Sequence, residues 1–395
     1  MHRTTDPRPA LGLRPVINVA GTMTYLGASS VRAEAIAAMA AILPEFVEMG
    51  ALQRYASRAL AAATGAEAGF VTASAAAGVS LTLAGAMTGA DPARIERLPD
   101  TEGMTRRVLI QAGHHVHYGA PVTQAIRLTG AEPVLLGTAT RVEPYHLLSA
   151  LEAPTAAVLF VVSHHTVDHG QLSLEEVVAQ CRPRAVPVIV DAASEYDLTG
   201  FLARGADAVV YSGHKFLGGP TAGIVVGRTA LVRAAYLQTL GIGRGMKVGK
   251  ESIVGVLAAL AAFQARDAQA VRAREDAAIA LWAERLADLP GLTTAVVPDP
   301  TGNPLVRLEV LINPSQAGTT AWDLADWLAA GDPPVIVRDH MVEHGRFQLD
   351  PCNLHPGEAE IVADCIRQCL AQGGPRRTLA DRRAAKLAAL LAWPE

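Results

Sequence analysis

Between residues 106 and 227 the sequence returns repeatedly to short, unbroken apolar runs: "RRVLIQAG" (106–113), "EPVLLG" (132–137), "TAAVLFVVS" (155–163), "VPVIVDAA" (186–193), "ADAVVYSG" (206–213) and "AGIVVG" (222–227). A strand with one wet face alternates apolar and polar residues. These runs do not alternate, so both of their faces need cover. Helical patterns such as "LSLEEVVAQC" lie between several of them, and together the two signals predict an α/β fold with a mostly parallel sheet.

Upstream, "PVINVAG" is a short apolar run closed by Gly21. Residues 31–43 read as an alanine-rich helix ended by Pro44, and 51–64 as a second helix ended by Gly65. "GFVTASAAAGVSLTLAGAM" then reads as a strand, a few small residues and a helix that is buried rather than membrane-spanning. From about 250 to 292 the pattern is alanine-rich and helical. "LVRLEVLI" (305–312), "PVIVRDHM" (334–341) and "GRFQLDPC" (345–352), with the helical "EAEIVADCIRQCLAQ", suggest a smaller α+β domain. The basic stretch 376–391 reads as a terminal helix with a solvated face. The expected division is an N-terminal segment 1–30, a large domain 31–255 and a small C-terminal domain 256–395.

Composition narrows the function classes. The chain has 395 residues, of which 50% are apolar and 18% charged, with a formal net charge of −4. A slightly acidic chain offers no bulk field for nucleic acid or for an acidic membrane surface, so neither partner is expected. Cys181, Cys352, Cys365 and Cys369 form no CxxC pair and fit neither a disulfide framework nor a zinc knuckle. No metal is expected. "MHRTTDPRPA" lacks the apolar core of a signal peptide, and a cytoplasmic location is the natural reading.

Four polar features sit at the ends of expected strands, where open parallel sheets place ligands. Asp191 ends "VPVIVD"; a carboxylate there either pairs with a cation, such as a pyridinium nitrogen, or caps the next segment. Ser212, Gly213, His214 and Lys215 follow "ADAVVY". A lysine amine reacts as a nucleophile only when deprotonated, and a pyridoxal aldehyde captures such an amine as an imine. Ser212 and His214 can reach a phosphate. "VTASAAAG" (71–78) opens a helix with small residues, a seat for a phosphate to which Ser74 adds a hydroxyl; it matches neither dinucleotide nor Walker-type patterns. "GHHVHYG" (113–119) carries His114 and His115, one ring of which can cover a flat cofactor or touch substrate, as can His165 after "LFVVS".

These residues resemble those of the fold-type I pyridoxal-phosphate enzymes, and within them the group of the bacterial selenocysteine synthase and the D-glucosaminate-6-phosphate ammonia-lyases. The resemblance covers most of the chain and rests on "INVAGTMTYLG" (17–27), "EFVEMGALQRYASRALAAATGAEAGFVTASAAAG" (45–78), "DPARIERLPDTEGM" (91–104), "VPVIVDAASE" and "IGRGMKVGKESIVG" (242–255). It implies a seven-stranded, mostly parallel sheet with a smaller C-terminal α+β domain, and a homodimer or higher homo-oligomer. It implies that Lys215 forms the Schiff base, that Asp191 pairs with the pyridine nitrogen, and that Ser74 and the amides of Ala75 and Ala76 hold the phosphate with help from Ser212. Arg244 and Lys247 then stand to hold an anionic substrate, and Arg338 its carboxylate. Two positions depart from the pattern: His115 stands where arginine is frequent, and Leu217–Gly218 where a basic residue is expected.

The chemistry expected is removal of an α-proton, with Lys215 as base, and β-elimination from a small hydroxylated amino acid to a 2-oxo acid and ammonia. Aldol cleavage, racemisation and transamination share the early steps and stay open as alternatives, as does a non-catalytic binding protein on the same fold. Selenium transfer to seryl-tRNA, the group's other activity, needs a tRNA surface and an added N-terminal domain, and is not expected for a core that starts near residue 15.

Overall fold

The computed structural model describes residues 6–394. In chain order the strands are β1 (Ile17–Val19), β2 (Ala68–Thr72), β3 (Arg107–Gln111), β4 (Glu132–Leu136), β5 (Ala157–Val161), β6 (Val188–Asp191), β7 (Ala208–Ser212), β8 (Gly223–Gly227), β9 (Leu292–Pro298), β10 (Val306–Ile312), β11 (Val335–Val337) and β12 (Arg346–Leu349). Each apolar run between 106 and 227 forms a strand one to four residues shorter than the run itself, because flanking small and polar residues turn out of the sheet.

Two compact units result. The larger spans Ser29–Arg266 and takes in Pro300–Asn303; the smaller holds the described segment up to Ala28, Asp267–Asp299 and the chain from Pro304 onward. The larger is built on a seven-stranded sheet ordered β2-β8-β7-β6-β5-β3-β4. Strand β8 runs antiparallel to both of its neighbours, and every other pairing is parallel. One apolar cluster covers each face: Leu109, Val158, Val190, Val209 and Ile224 point into one, and Ile110, Leu159, Ile189, Val210 and Val225 into the other. Unbroken hydrophobicity along these strands is the requirement of that double cover.

Three helices flank β2 in the chain: α1 (Ala33–Ile42), α2 (Met49–Thr64) and α3 (Ala75–Thr88). The small residues of α3 serve close approach. A Cβ on Gly78 would lie 2.8 Å from Val210 Cγ1, and one on Gly85 would lie 2.6 Å from the backbone nitrogen of Ala235, in the helix Thr229–Leu237. From Ala77 to Thr88 nearly every residue of α3 is buried. The apolar stretch is therefore a core helix, and no described helix is long and apolar enough to cross a membrane.

In the smaller unit β12, β10 and β9 form an antiparallel sheet, and β1 pairs in parallel with β11 at Ile17↔Val335 and Val19↔Val337. The "PVINVAG" run thus joins a partner more than 300 residues away in sequence, a pairing that no local pattern announces. Trp282, Leu308, Val310, Leu324 and Phe347 fill its core.

Substituting Gly85→Val forces a branched side chain into the backbone of a neighbouring helix. The expected loss is about 1–3 kcal/mol of stability, read as a lower midpoint in urea with an unchanged slope.

Candidate active site

Parallel pairing of β6 with β7 sets Asp191 opposite Val210, so the chain leaves the sheet after Asp191 and after Ser212 at the same edge. Beyond Ser212 it makes a tight excursion and returns as β8 at Gly223, which pairs with Ser212. Within the excursion the Gly213 N–H donates to the Ala222 carbonyl at 2.8 Å, the Gly219 N–H to Gly213 at 2.8 Å and the Gly218 N–H to Lys215 at 3.0 Å. A Cβ on Gly213 would sit 2.6 Å from Val256 Cγ2, so only glycine fits there. The residues just before α1 fasten the other side. Ser29 Oγ donates to the carbonyls of His214 (2.7 Å) and Lys215 (2.9 Å), and the Arg32 N–H and Nε donate to Gly218 (2.8 Å) and Leu217 (2.7 Å). The backbone of Lys215 is held on both sides.

The Lys215 amine donates to Ser194 Oγ at 2.8 Å. Asp191 is half-buried and accepts the Ala193 N–H at 3.2 Å. Burial pushes its carboxyl above the usual carboxylate range, while the Lys215 charge and the Ala193 N–H pull it back down. A carboxylate in that position is short of positive charge. Burial, and then the Lys215 ammonium, push the His214 imidazole down, and its Nδ1 lies 3.4 Å from Ser212 Oγ.

Gly223 pairs with Ser212 on one side and Thr72 on the other, and its bare Cα lets the start of α3 close onto the sheet. A Cβ there would lie 2.1 Å from the Ser74 carbonyl oxygen. Ser74 caps α3, its Oγ accepting the Ala77 N–H at 3.1 Å. The amides of Ala75 and Ala76 head the helix, where the carbonyls four residues back belong to β2 and not to the helix. The positive end of a 14-residue helix, with the Ser74 and Ser212 hydroxyls at one sheet edge, makes a seat for an anion. Thr72 Oγ1 donates to the Met246 carbonyl at 3.3 Å, which brings the loop bearing the exposed Arg244 and Lys247 to the end of β2.

The histidines divide. His114 is buried, its ring edge-to-face on Phe160 with centroids 4.6 Å apart and its Nδ1 accepting the Val161 N–H at 3.2 Å. Those contacts make it part of the core under the loop, and burial pushes it down to about 4. His115 is exposed, with Nε2 3.1 Å from Thr123 Oγ1. His165 is exposed too, its ring 3.8 Å from that of His164. Tyr118, on the same loop as His114, is a residue the sequence did not single out: its phenol is pushed up to about 12 by burial and then by the charge of Asp191. Ser194 went unmarked as well, since nothing in "DAASE" separates it from its neighbours.

Arg338 lies in the smaller unit and is 7% exposed. Its guanidinium donates to the Ala20 carbonyl at 3.3 Å and forms no ion pair among the described residues. Nearby Arg307 takes both carboxylates, Asp350 at 2.7 Å and Asp299 at 2.8 Å. Burial, and then the charge of Arg307, push Arg338 down to about 10.

Pyridoxal phosphate asks for three things: an amine for its aldehyde, a carboxylate for its ring nitrogen and an anion seat for its phosphate. Lys215, the desolvated Asp191 and the α3 terminus with Ser74 and Ser212 meet them at one sheet edge, so the residues fit the group.

A family model described as L-seryl-tRNA selenium transferase (SelA) matches residues 16–287. The chain is 38% identical over 358 residues to a D-glucosaminate-6-phosphate ammonia lyase of Salmonella typhimurium, covering 91% of this chain and 96% of that one. It is 36% identical over 376 residues to a 5′-C-glycyluridine monooxygenase-decarboxylase of a Streptomyces species, covering 94% of each. A solved D-glucosaminate-6-phosphate ammonia-lyase superposes with a TM-score of 0.84 at 37% identity, over 93% of this chain and 99% of that one. A ureidoglycine-glyoxylate aminotransferase of Bacillus subtilis, 12% identical, shares the fold with a TM-score of 0.61 over 96% of this chain and 97% of that one.

His114 provides a pH test of the core beneath the site. Its folded pKa of about 4 lies below the ordinary value of 6.5, so the unfolded chain takes up the proton first. Stability is then lost as pH falls from about 6.5 towards about 4, by about 3 kcal/mol. In His114→Asn, the fall in urea midpoint across that window is expected to be shallower than in the wild type.

Proposed function

The chain belongs to the L-seryl-tRNA selenium transferase (SelA) family, and from that premise we propose a pyridoxal 5′-phosphate-dependent lyase that eliminates the β-hydroxyl of a small hydroxylated amino acid, giving a 2-oxo acid and ammonia. One observation carries the reading: a fixed lysine, a desolvated carboxylate and a helix terminus meet at one sheet edge, in a chain 38% identical to an ammonia lyase along 91% of its length.

When bound, pyridoxal phosphate supplies an aldehyde for the substrate amine and an electron-poor ring that stabilises negative charge at the α-carbon. The protein's own residues do the rest. Asp191, short of positive charge, would pair with the ring nitrogen and keep it protonated. Ala75, Ala76, Ser74 and Ser212 would hold the phosphate. The Lys215 amine would take the α-proton; the bonding pair would form the Cα–Cβ double bond as the β C–O bond breaks, the hydroxyl leaving as water once protonated. The Lys215 amine would then replace the product nitrogen at the aldehyde carbon, and the enamine so released would be hydrolysed by water to the 2-oxo acid and ammonia. Arg338, a desolvated guanidinium with one hydrogen bond, is suited to a substrate carboxylate, and the exposed Arg244 and Lys247 to further negative charge. His115, His165 and His214 are proposed to line the site.

The test is absorbance spectroscopy of the purified protein with pyridoxal phosphate against D- and L-hydroxy amino acids, phosphorylated and not, with ammonia, 2-oxo acid and oxygen uptake assayed together. A spectral change with release of both products is expected. Lys215→Ala should lose at least about 10³-fold in rate, and Asp191→Asn about 10²-fold. A spectral change without ammonia would move the assignment to aldolase, racemase or aminotransferase chemistry. Oxygen uptake would move it towards the chemistry named for the Streptomyces relative.

We propose in addition that the protein is a cytoplasmic homodimer or higher homo-oligomer. Helices α1 and α2 both pack on the helix Lys250–Ala265, while on and between them Ile36, Leu43 and Tyr55 are more than half exposed and Phe46 is fully exposed. A cluster of large apolar side chains left to water marks an association surface. Phe46→Asp is expected to shift the species seen by light scattering towards monomer, with lyase activity falling in step.

A further inference from the structure

The Lys215 amine has a partner that takes no part in the elimination. Ser194 lies three residues past Asp191, in the turn after β6, and its Oγ accepts from Lys215 Nζ at 2.8 Å. A hydroxyl both accepts and donates, so it can bond an ammonium and, after rotating, a neutral amine. An amine that gains and loses a proton therefore keeps this partner in both states. A methyl group there would remove this acceptor from the charged form.

The turn bearing Ser194 is itself fastened inside the larger unit. Asn303 Oδ1 accepts the Tyr196 N–H at 2.9 Å, and its Nδ2 bonds Thr301 Oγ1 at 3.0 Å and reaches the Ser194 carbonyl at 3.5 Å. Thr301 Oγ1 donates to Glu195 Oε1 at 3.0 Å, and Glu195 is 3% exposed. Pro300–Asn303 is the one stretch between β9 and β10 that belongs to the larger unit, and it hydrogen-bonds residues 194 to 196.

We propose that Ser194 is a positioning residue for Lys215, aiming the amine and setting how readily it gives up its proton, and that Thr301 and Asn303 keep Ser194 in register. Among the titratable groups near the amine, Asp191 from β6 favours the ammonium, and the His214 imidazole stands on the lysine's own loop. Ser194 adds a neutral acceptor on the side of Asp191, and a hydrogen bond to a charged group favours the charged form. Its loss frees the proton more easily. The inference rests on the proposed role of Lys215 only for what the amine is used for.

The experiment is competitive acetylation of the full-length chain, freed of cofactor, across pH 6 to 11, with the Lys215 peptide quantified by mass spectrometry. Ser194→Ala and Ser194→Gly are expected to raise acetylation of Lys215 at pH 8 about three- to tenfold relative to other lysines, and Ser194→Thr to restore the wild-type profile. A residue that mattered only for packing would not be rescued in this readout by threonine. A profile unchanged in both the Ala and Gly variants overturns the proposal, and the Gly variant keeps the test open should the Ala variant fold poorly. Because no cofactor is present, a failed lyase assay leaves this measurement standing, and an unchanged profile beside a working lyase removes the role of Ser194 alone.

Discussion

The pairing of β6 with β7, in which Asp191 stands opposite Val210, is the constraint on which the site depends. Two parallel neighbours end at the same edge, so a carboxylate closing one and a lysine shortly beyond the other are brought together without any loop having to reach. A slip of β6 by one residue would turn Asp191 to the opposite face and would move Ile189 and Val190 between the two apolar clusters. Packing therefore protects the chemistry. The sheet cannot slip without each cluster having to repack around side chains of a different shape.

The same edge explains why α3 is so poor in large side chains. Its first residue must come within contact of a strand end, and the bare Cα of Gly223 is the gap that permits it. The terminus offers an anion its unpaired amides, while further along Gly78 and Gly85 let the helix lie against β7, β8 and the helix Thr229–Leu237. Anion seat and core contact are served by one run of small residues. Composition alone cannot separate those uses.

Most of the larger unit was legible in the sequence because its strands are buried on both faces and leave unbroken runs between helical segments. Lys215 and Asp191 stood out in the sequence because a charged residue closing such a run is unusual. Other features left no local mark. The union of β1 with β11, the clamp from Ser29 and Arg32, and the contact of Ser194 with Lys215 each join residues distant in sequence. His114 shows the opposite case. Its position after a strand suggested a ring over a flat ligand, yet the ring is spent on Phe160 and the Val161 amide, while Tyr118, four residues on, lies within electrostatic reach of Asp191.

The lysine excursion also limits where its amine can go. Its backbone is tied at Gly213, Lys215, Leu217 and Gly218, and its two ends enter paired strands, so the amine can travel only as far as its own four methylenes allow. It also leaves from one side of the sheet edge. In the proposed role of base, an amine so tethered would meet a planar reaction centre from a single face. Handedness would then be decided by the anchoring of one loop, and two mirror-image substrates would present to the same amine a hydrogen in one case and a side chain in the other.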